Sequence, residues 1–312
     1  MDIVLHIGAH RTASTSFQAY LRANADALEE LAVCFWGPKR TRGGLFSGIV
    51  PVNGSPRLER QARMAKGRIG LQLERARLNG MRQLIVTDEN IIGASRRNLR
   101  DTTLYRGAGV RMAQHAAAFG GRITRAVVSI RCLDSYWSSA LAYGIGRGHQ
   151  LPDAAHLEAI VQQKRSWRDV ITDLACAMPG VELLVLPHET YGGMPERRLE
   201  IMTAATWAAP TRQHRLWLNQ APDMAQLRKY LALRGEDPVR LGPDEGRYEP
   251  FTATQRARLR ETYQDDLFWL ASGADGLAKL MTEKTRDQTG TSPQRDPLTR
   301  GQDDDQQEGR VA

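Results

Sequence analysis

What most constrains this chain is a unit that recurs along it: a short apolar run rich in β-branched residues, a loop, then a helical pattern. Residues 2–7 (DIVLHI) form such a run and stop at Gly8; the run is too short for a helix and reads as a buried strand. Behind it, Phe17, Leu21, Leu28 and Leu31 recur at helical spacing, which predicts an amphipathic helix over 15–32. Further strands are predicted at 83–87 (QLIVT), 123–130 (ITRAVVSI) and 181–186 (VELLVL). Helices are predicted near 101–119, after Arg131 through Trp137, Leu141 and Ile145, and near 154–177, 195–207, 223–233 and 252–271. Strands that alternate with helices of this length imply an α/β fold with a mostly parallel central sheet and helices on both faces, a three-layer sandwich. In such a fold, ligands bind beyond the C-terminal ends of the strands.

Residues 1–282 are read as a single domain interrupted by a basic insertion at about 37–82. The segment from 37 to 57, GPKRTRGGLFSGIVPVNGSPR, is dense in Gly, Pro and Ser and reads as a long irregular connection. The last stretch, 283–312, is nearly free of apolar residues and is expected to be disordered, because it buries too little to offset the entropy of ordering. The three cysteines, Cys34, Cys132 and Cys176, are too scattered for a disulfide framework or a metal-ligand pattern. With no apolar run long enough to cross a bilayer and no signal-sequence pattern at the start, no membrane span is expected, and the expected location is the cytoplasm.

The chain carries a formal charge of +8, with 37 of its 43 basic residues being Arg. Position says more than the total: residues 39–77 hold ten basic residues against Glu59 and Glu74. Such an excess attracts anions. RNA recognition favours aromatics interleaved with Arg, and residues 53–82 contain none, so no nucleic-acid partner is expected.

The first strand leads into Gly8-Ala9-His10-Arg11-Thr12-Ala13-Ser14-Thr15-Ser16 and then a helix. A strand, tight loop and helix start with one guanidinium and four hydroxyls is an anion cradle, because first-turn N–H groups lack internal partners and the helix dipole is positive there. The GxxxxGK[ST] and GxGxxG patterns are absent. A second anion-binding element follows a later strand: Arg131 ends the run AVVSI, and Ser139 lies eight residues on. Between them Asp88-Glu89-Asn90 follows the strand at 83–87, so carboxylates lie on the same sheet edge.

LHIGAHRTASTSFQAYL resembles the 5′-phosphosulfate-binding loop of the sulfotransferases that use 3′-phosphoadenosine 5′-phosphosulfate, with Gly8, Arg11, Thr12, Ser14 and Thr15 matching. Arg11 stands where Lys is more frequent, and Ala13 replaces Gly, which suits a backbone with φ below zero. Arg131 followed by Ser139 is similar to the family's 3′-phosphate motif. The resemblance implies a P-loop-type sandwich and a co-substrate held by Gly8, Arg11, Thr12, Ala13, Ser14, Thr15, Ser16, Arg131 and Ser139. It implies no metal. The catalytic residues it points to are Glu89 as base, with Asp88 as the fallback, Arg11 on the leaving group, and His10 as a further candidate.

The acceptor is expected to be a hydroxyl or amine of a carbohydrate or small molecule, with the basic insertion favouring an anionic one. Phe35, Trp36 and Phe46 are candidate pocket aromatics. Two other functions remain open at this point: a P-loop nucleotide or small-molecule kinase, which predicts Gly-Lys-Ser/Thr, and a noncatalytic anion- or nucleotide-binding module.

Overall fold

The computed structural model describes residues 1–50, 58–205, 207–212 and 215–282. Six parallel strands form one sheet in the order β2-β3-β1-β4-β5-β6. They are β1 (Asp2–Gly8), β2 (Val33–Trp36), β3 (Gln83–Thr87), β4 (Arg125–Ile130), β5 (Glu182–Pro187) and β6 (Lys279–Leu280). The helices between them are α1 (Ser14–Ala23), α2 (Ala25–Glu30), α3 (Pro38–Arg40), α4 (Leu58–Leu78), α5 (Ser95–Asp101), α6 (Ala108–Ala118) and α7 (Leu133–Ile145). There follow α8 (Ala154–Gln162), α9 (Trp167–Ala177), α10 (His188–Tyr191), α11 (Pro195–Thr203), α12 (Met224–Leu233) and α13 (Ala253–Ala271). Residues 1–281 make one compact unit.

The sheet is covered on both faces, and its sequence shows why. Ile3, Leu5 and Ile7 of β1 pack into one apolar cluster with Leu84, Val86, Ala126 and Val128, whereas Val4, Ile85 and Val127 pack into another with Phe17, Tyr20 and Leu21 of α1. Alternate residues of the same strand thus serve opposite faces. No position is left for a polar face, and the strands read as continuous apolar runs.

Several predicted elements are subdivided. The helix expected over 15–32 breaks at Asn24, whose side chain donates to the carbonyls of Tyr20 and Arg212, and the chain then enters β2. β2 was missed because its four residues, VCFW, follow directly on the helical stripe. The helix expected over 154–177 is two, since Ser166 and Asp169 form a capping box that starts α9 afresh. Within the basic insertion, 58–78 is helical; of the irregular connection expected over 37–57, the first part is instead α3 followed by a wider helical turn at Thr41–Leu45, while 51–57 lies outside the described residues, as does the disorder expected over 283–312. Among the described residues no helix is long and apolar enough to cross a membrane.

The strand order fixes where a ligand can sit. From β1 the chain crosses to β2 on one side, and from β4 it passes to β5 on the other. The loops after β1 and β4, adjacent strands, therefore diverge and leave a crevice at their C-terminal ends.

Candidate anion site at the strand ends

The loop between β1 and α1 is built around one close approach. A Cβ on Gly8 would stand 2.2 Å from Ser14 Oγ and 3.2 Å from the His6 ring, so any larger residue here forces the Ser14 hydroxyl to move. Thr12 Oγ1 donates to the Ala9 carbonyl at 2.6 Å, and the Ala9 N–H donates to the Ser129 carbonyl of β4 at 3.0 Å. Arg11 and Ala13 both take left-handed backbone, at φ 68° and 63°. For Ala13 this departs from the negative φ that suits an alanine; each such residue costs roughly 1–2 kcal/mol. Ala13 is also the N-cap of α1 and gives it no side-chain cap.

Arg11 and Arg131, 120 residues apart in sequence, meet at this crevice. Arg131 Nη1 donates to the Arg11 carbonyl at 2.9 Å, and Arg11 Nε donates to Ser139 Oγ at 3.0 Å. The Arg11 guanidinium lies 4.7 Å from the centre of the Tyr143 ring. Neither arginine has a carboxylate within ion-pair distance among the described residues. Burial and the charge of Arg131 push the Arg11 guanidinium down to about 10, and burial likewise lowers Arg131. Both remain cations at neutral pH, without an ion pair, though the charges of Glu189 and Asp134 act on Arg131 from farther off.

These groups open onto a cavity of about 970 Å³. Of the residues read from sequence, His10, Arg11, Ala13, Ser14, Thr15, Glu89, Arg131 and Ser139 line it. Ser14 Oγ is buried with no hydrogen-bond partner among the described residues. Gly8 lies beneath the loop, Thr12 spends its hydroxyl on Ala9, and Ser16 Oγ accepts from the Leu218 N–H at 2.8 Å. Thr12 and Ser16 thus shape the loop and its neighbour rather than facing the cavity.

The carboxylates divide in the same way. Asp88 is buried, caps the short turn Glu89–Ile91, and accepts from Thr41 Oγ1 at 2.5 Å and Arg42 Nη2 at 2.6 Å. Glu89 faces the cavity, with Arg42 Nη2 at 2.8 Å on one oxygen and Gln18 Nε2 at 3.1 Å on the other. Burial would raise its carboxyl, but the hydrogen bond and charge of Arg42 outweigh that and hold it below its ordinary value. His10 is engaged at both ring nitrogens: Nδ1 is 2.8 Å from Tyr105 Oη, and Nε2 is 3.1 Å from Asn90 Oδ1. Because Tyr105 Oη already accepts the His10 backbone N–H, its proton is free for Nδ1, and Nε2–H donates to Asn90. Burial lowers the imidazole pKa, more than the charge of Glu89 and the Asn90 hydrogen bond raise it.

Apart from Arg42, which reaches Asp88 and Glu89, the basic insertion stays away from the cavity lining, as do the candidate pocket aromatics. Trp36 is in the core, Phe46 packs on His115 and Phe119, and Phe35 packs beside the cluster around Phe17; none lines the cavity. Arg60, Arg63, Lys66 and Arg75 of α4 are exposed, and Arg77 pairs with Glu74.

Other walls come from segments that the sequence reading did not single out: His188 at the end of β5, Trp217 and Leu218, and Arg247. His188 obeys the strand-end rule that found Arg131. Burial, then Arg131 and Arg198, push its imidazole down to about 3, and its Nδ1 is buried without a hydrogen-bond partner among the described residues. Arg198 of α11 lies under the loop. Its signal was its place at the spacing of the buried Pro195, Leu199 and Met202, a cation within an apolar stripe.

No family model, curated protein or solved structure matches this chain. The functional reading rests on the geometry above.

Proposed function

We propose that the chain is a sulfotransferase that moves the sulfuryl group of 3′-phosphoadenosine 5′-phosphosulfate to a hydroxyl or amine of a small-molecule or carbohydrate acceptor. The observation that carries this reading is the meeting of Arg11 and Arg131 at one cavity, neither held in an ion pair among the described residues. Two anion sites served from adjacent strand ends match a co-substrate with separate 5′- and 3′-anionic groups. Arg11, Ser14 and Thr15 would take the phosphosulfate, and Arg131 with Ser139 the 3′-phosphate. The unpartnered Ser14 hydroxyl supports this fit.

In the transfer, the acceptor oxygen or nitrogen attacks sulfur in line, and the bond from sulfur to the bridging oxygen breaks. That electron pair leaves on the 5′-phosphate of adenosine 3′,5′-bisphosphate. Arg11 and the N–H groups that open α1 stabilise the developing charge, at roughly 2.7–4 kcal/mol per donor by analogy with oxyanion sites. The acceptor proton passes to Glu89, which is ionised at neutral pH.

A second reading has an observation in its favour. All three candidate bases are engaged, Glu89 by Arg42 and Gln18, Asp88 by Thr41 and Arg42, and His10 by Tyr105 and Asn90, as expected of a noncatalytic anion-binding module. The kinase reading is weaker, for the loop has Arg11 and no Gly-Lys-Ser/Thr. Calorimetric titration with adenosine 3′,5′-bisphosphate, with and without magnesium, separates the kinase reading from the other two, and sulfuryl transfer that Glu89→Gln abolishes separates the enzyme from the binding module. Magnesium-independent binding supports the sulfotransferase, and no binding by the wild type removes it.

A further inference from the structure

Arg198 is the least accommodated charge among the described residues. It is 1 % exposed, and no carboxylate lies within ion-pair distance. Its Nη2 donates to His6 Nε2 at 2.8 Å and to Ser129 Oγ at 3.2 Å, and its Nη1 donates to the carbonyls of Thr12 and Ala13, both at 3.5 Å. Its Nε has no hydrogen-bond partner among the described residues, and its guanidinium stands 4.8 Å from the centre of the Phe17 ring. Burial lowers its pKa to about 9, which still leaves it charged at neutral pH.

The titratable groups around it supply no negative charge. His6 donates from Nδ1 to Thr87 Oγ1 at 2.8 Å and accepts from Arg198 at Nε2, so it is held neutral, and burial followed by the charge of Arg198 lowers its pKa well below the ordinary value. His188 is neutral as well, and the next ionised groups toward the cavity are Arg11 and Arg131. A buried cation without a counter-ion costs several kcal/mol unless something else compensates it.

Its two carbonyl contacts give this charge a direction. In a trans peptide the carbonyl and the following N–H point to opposite sides. Carbonyls of Thr12 and Ala13 turned toward Arg198 therefore turn the N–H groups of Ala13 and Ser14 away from it, on the cavity side of the loop. The same contacts brace Ala13 in its left-handed backbone.

We infer that Arg198 is the positioning residue of the anion loop: its unpaired charge and carbonyl contacts set the loop to bind a phosphate- or sulfate-type polyanion, whose charge completes what the protein leaves uncompensated. This rests on the reading of the loop as an anion site but not on the nature of the nucleotide or on transfer chemistry.

Inorganic pyrophosphate is a suitable probe for calorimetry on the full chain, comparing wild type with Arg198→Gln, which keeps a donor for His6, and Arg198→Lys, which keeps the charge. Arg198→Gln is expected to weaken pyrophosphate about tenfold or more, and Arg198→Lys to stay within about threefold. The ligand-free melting temperature of Arg198→Gln should be no lower than that of the wild type, because an uncompensated charge has left the interior. Equal affinity in Arg198→Gln and wild type would overturn the inference, and so would a lowered ligand-free melting temperature with affinity intact, since Arg198 would then serve only the fold. A wild type that binds neither pyrophosphate nor adenosine 3′,5′-bisphosphate overturns this inference and the functional proposal together. Binding of pyrophosphate alone, weakened in Arg198→Gln, removes the sulfotransferase and supports the loop's dependence on Arg198.

Discussion

Two regions of this molecule are rich in arginine, and they differ in what surrounds the charge. Along α4 the cations are numerous, exposed to water, and paired where an acid is near, as Arg77 is with Glu74. At the ends of β1 and β4 they are few, withdrawn from water and without an ion pair among the described residues: Arg11 and Arg131, both half-buried, and, beneath them, the buried Arg198. Water screens the first group, and an ion pair on that surface contributes about 0–1 kcal/mol. The second group stands where each unit of charge acts at lower dielectric. Local charge count points to α4, whereas uncompensated charge points to the strand ends.

The largest effect expected from perturbing this contrast is on chemistry. Glu89→Gln should retain affinity for adenosine 3′,5′-bisphosphate while sulfuryl transfer falls by about 10²–10⁴, the usual worth of a positioned base. Steady-state transfer together with calorimetry checks this; unchanged turnover would pass the role to His10, because Asp88 is committed to Thr41 and Arg42.

Next comes acid stability. Burial, and after it the neighbouring guanidinium groups, keeps His6 and His188 neutral in the folded chain, while in the unfolded chain each takes up a proton below its ordinary value near 6.5. Folded pKa values below the unfolded ones mean that stability is full above about pH 6.5 and falls as the pH drops, by up to about 1.4 kcal/mol per pH unit for each imidazole. Urea midpoints measured between pH 7 and pH 5 should follow this slope. Saturating pyrophosphate, by occupying the folded form, should raise the whole curve.

Gly8→Ala should cost about 1–3 kcal/mol and impair anion binding, since the new methyl group collides with Ser14 Oγ. Urea unfolding gives the stability loss, and titration gives the loss of affinity. At the small end, Arg63→Ala and Arg75→Ala on α4 should change stability by no more than about 0.5 kcal/mol and leave nucleotide affinity alone. A tenfold loss of affinity in either would erase the distinction between the two regions.

Local pattern carried a good part of the fold and some of the site. β3 spans the residues that its apolar run marked, and β1, β4 and β5 lie within two residues of theirs, because a doubly covered sheet leaves uninterrupted apolar runs. The short strands β2 and β6 were not legible, since four and two residues are too few to display a period. Arg11, Glu89 and Arg131 were found by their place after strands. Trp217 and Arg247 reach the same cavity from segments with no such signature, and only tertiary folding brings them there. Nor does sequence alone reveal whether a charge is compensated. It marked the arginines after β1 and β4 and those of α4 alike, and it could not say which of them folding withdraws from water without an ion pair.

The central claim is that Arg11 and Arg131 form one composite anion site. Titrating the wild type and Arg131→Ala with adenosine 3′,5′-bisphosphate, without magnesium, tests it most directly. The account predicts saturable binding by the wild type and a loss of roughly tenfold to more than a hundredfold in Arg131→Ala, the worth of a charge-assisted hydrogen bond. Equal affinity in the two proteins, or no binding by the wild type, would contradict it.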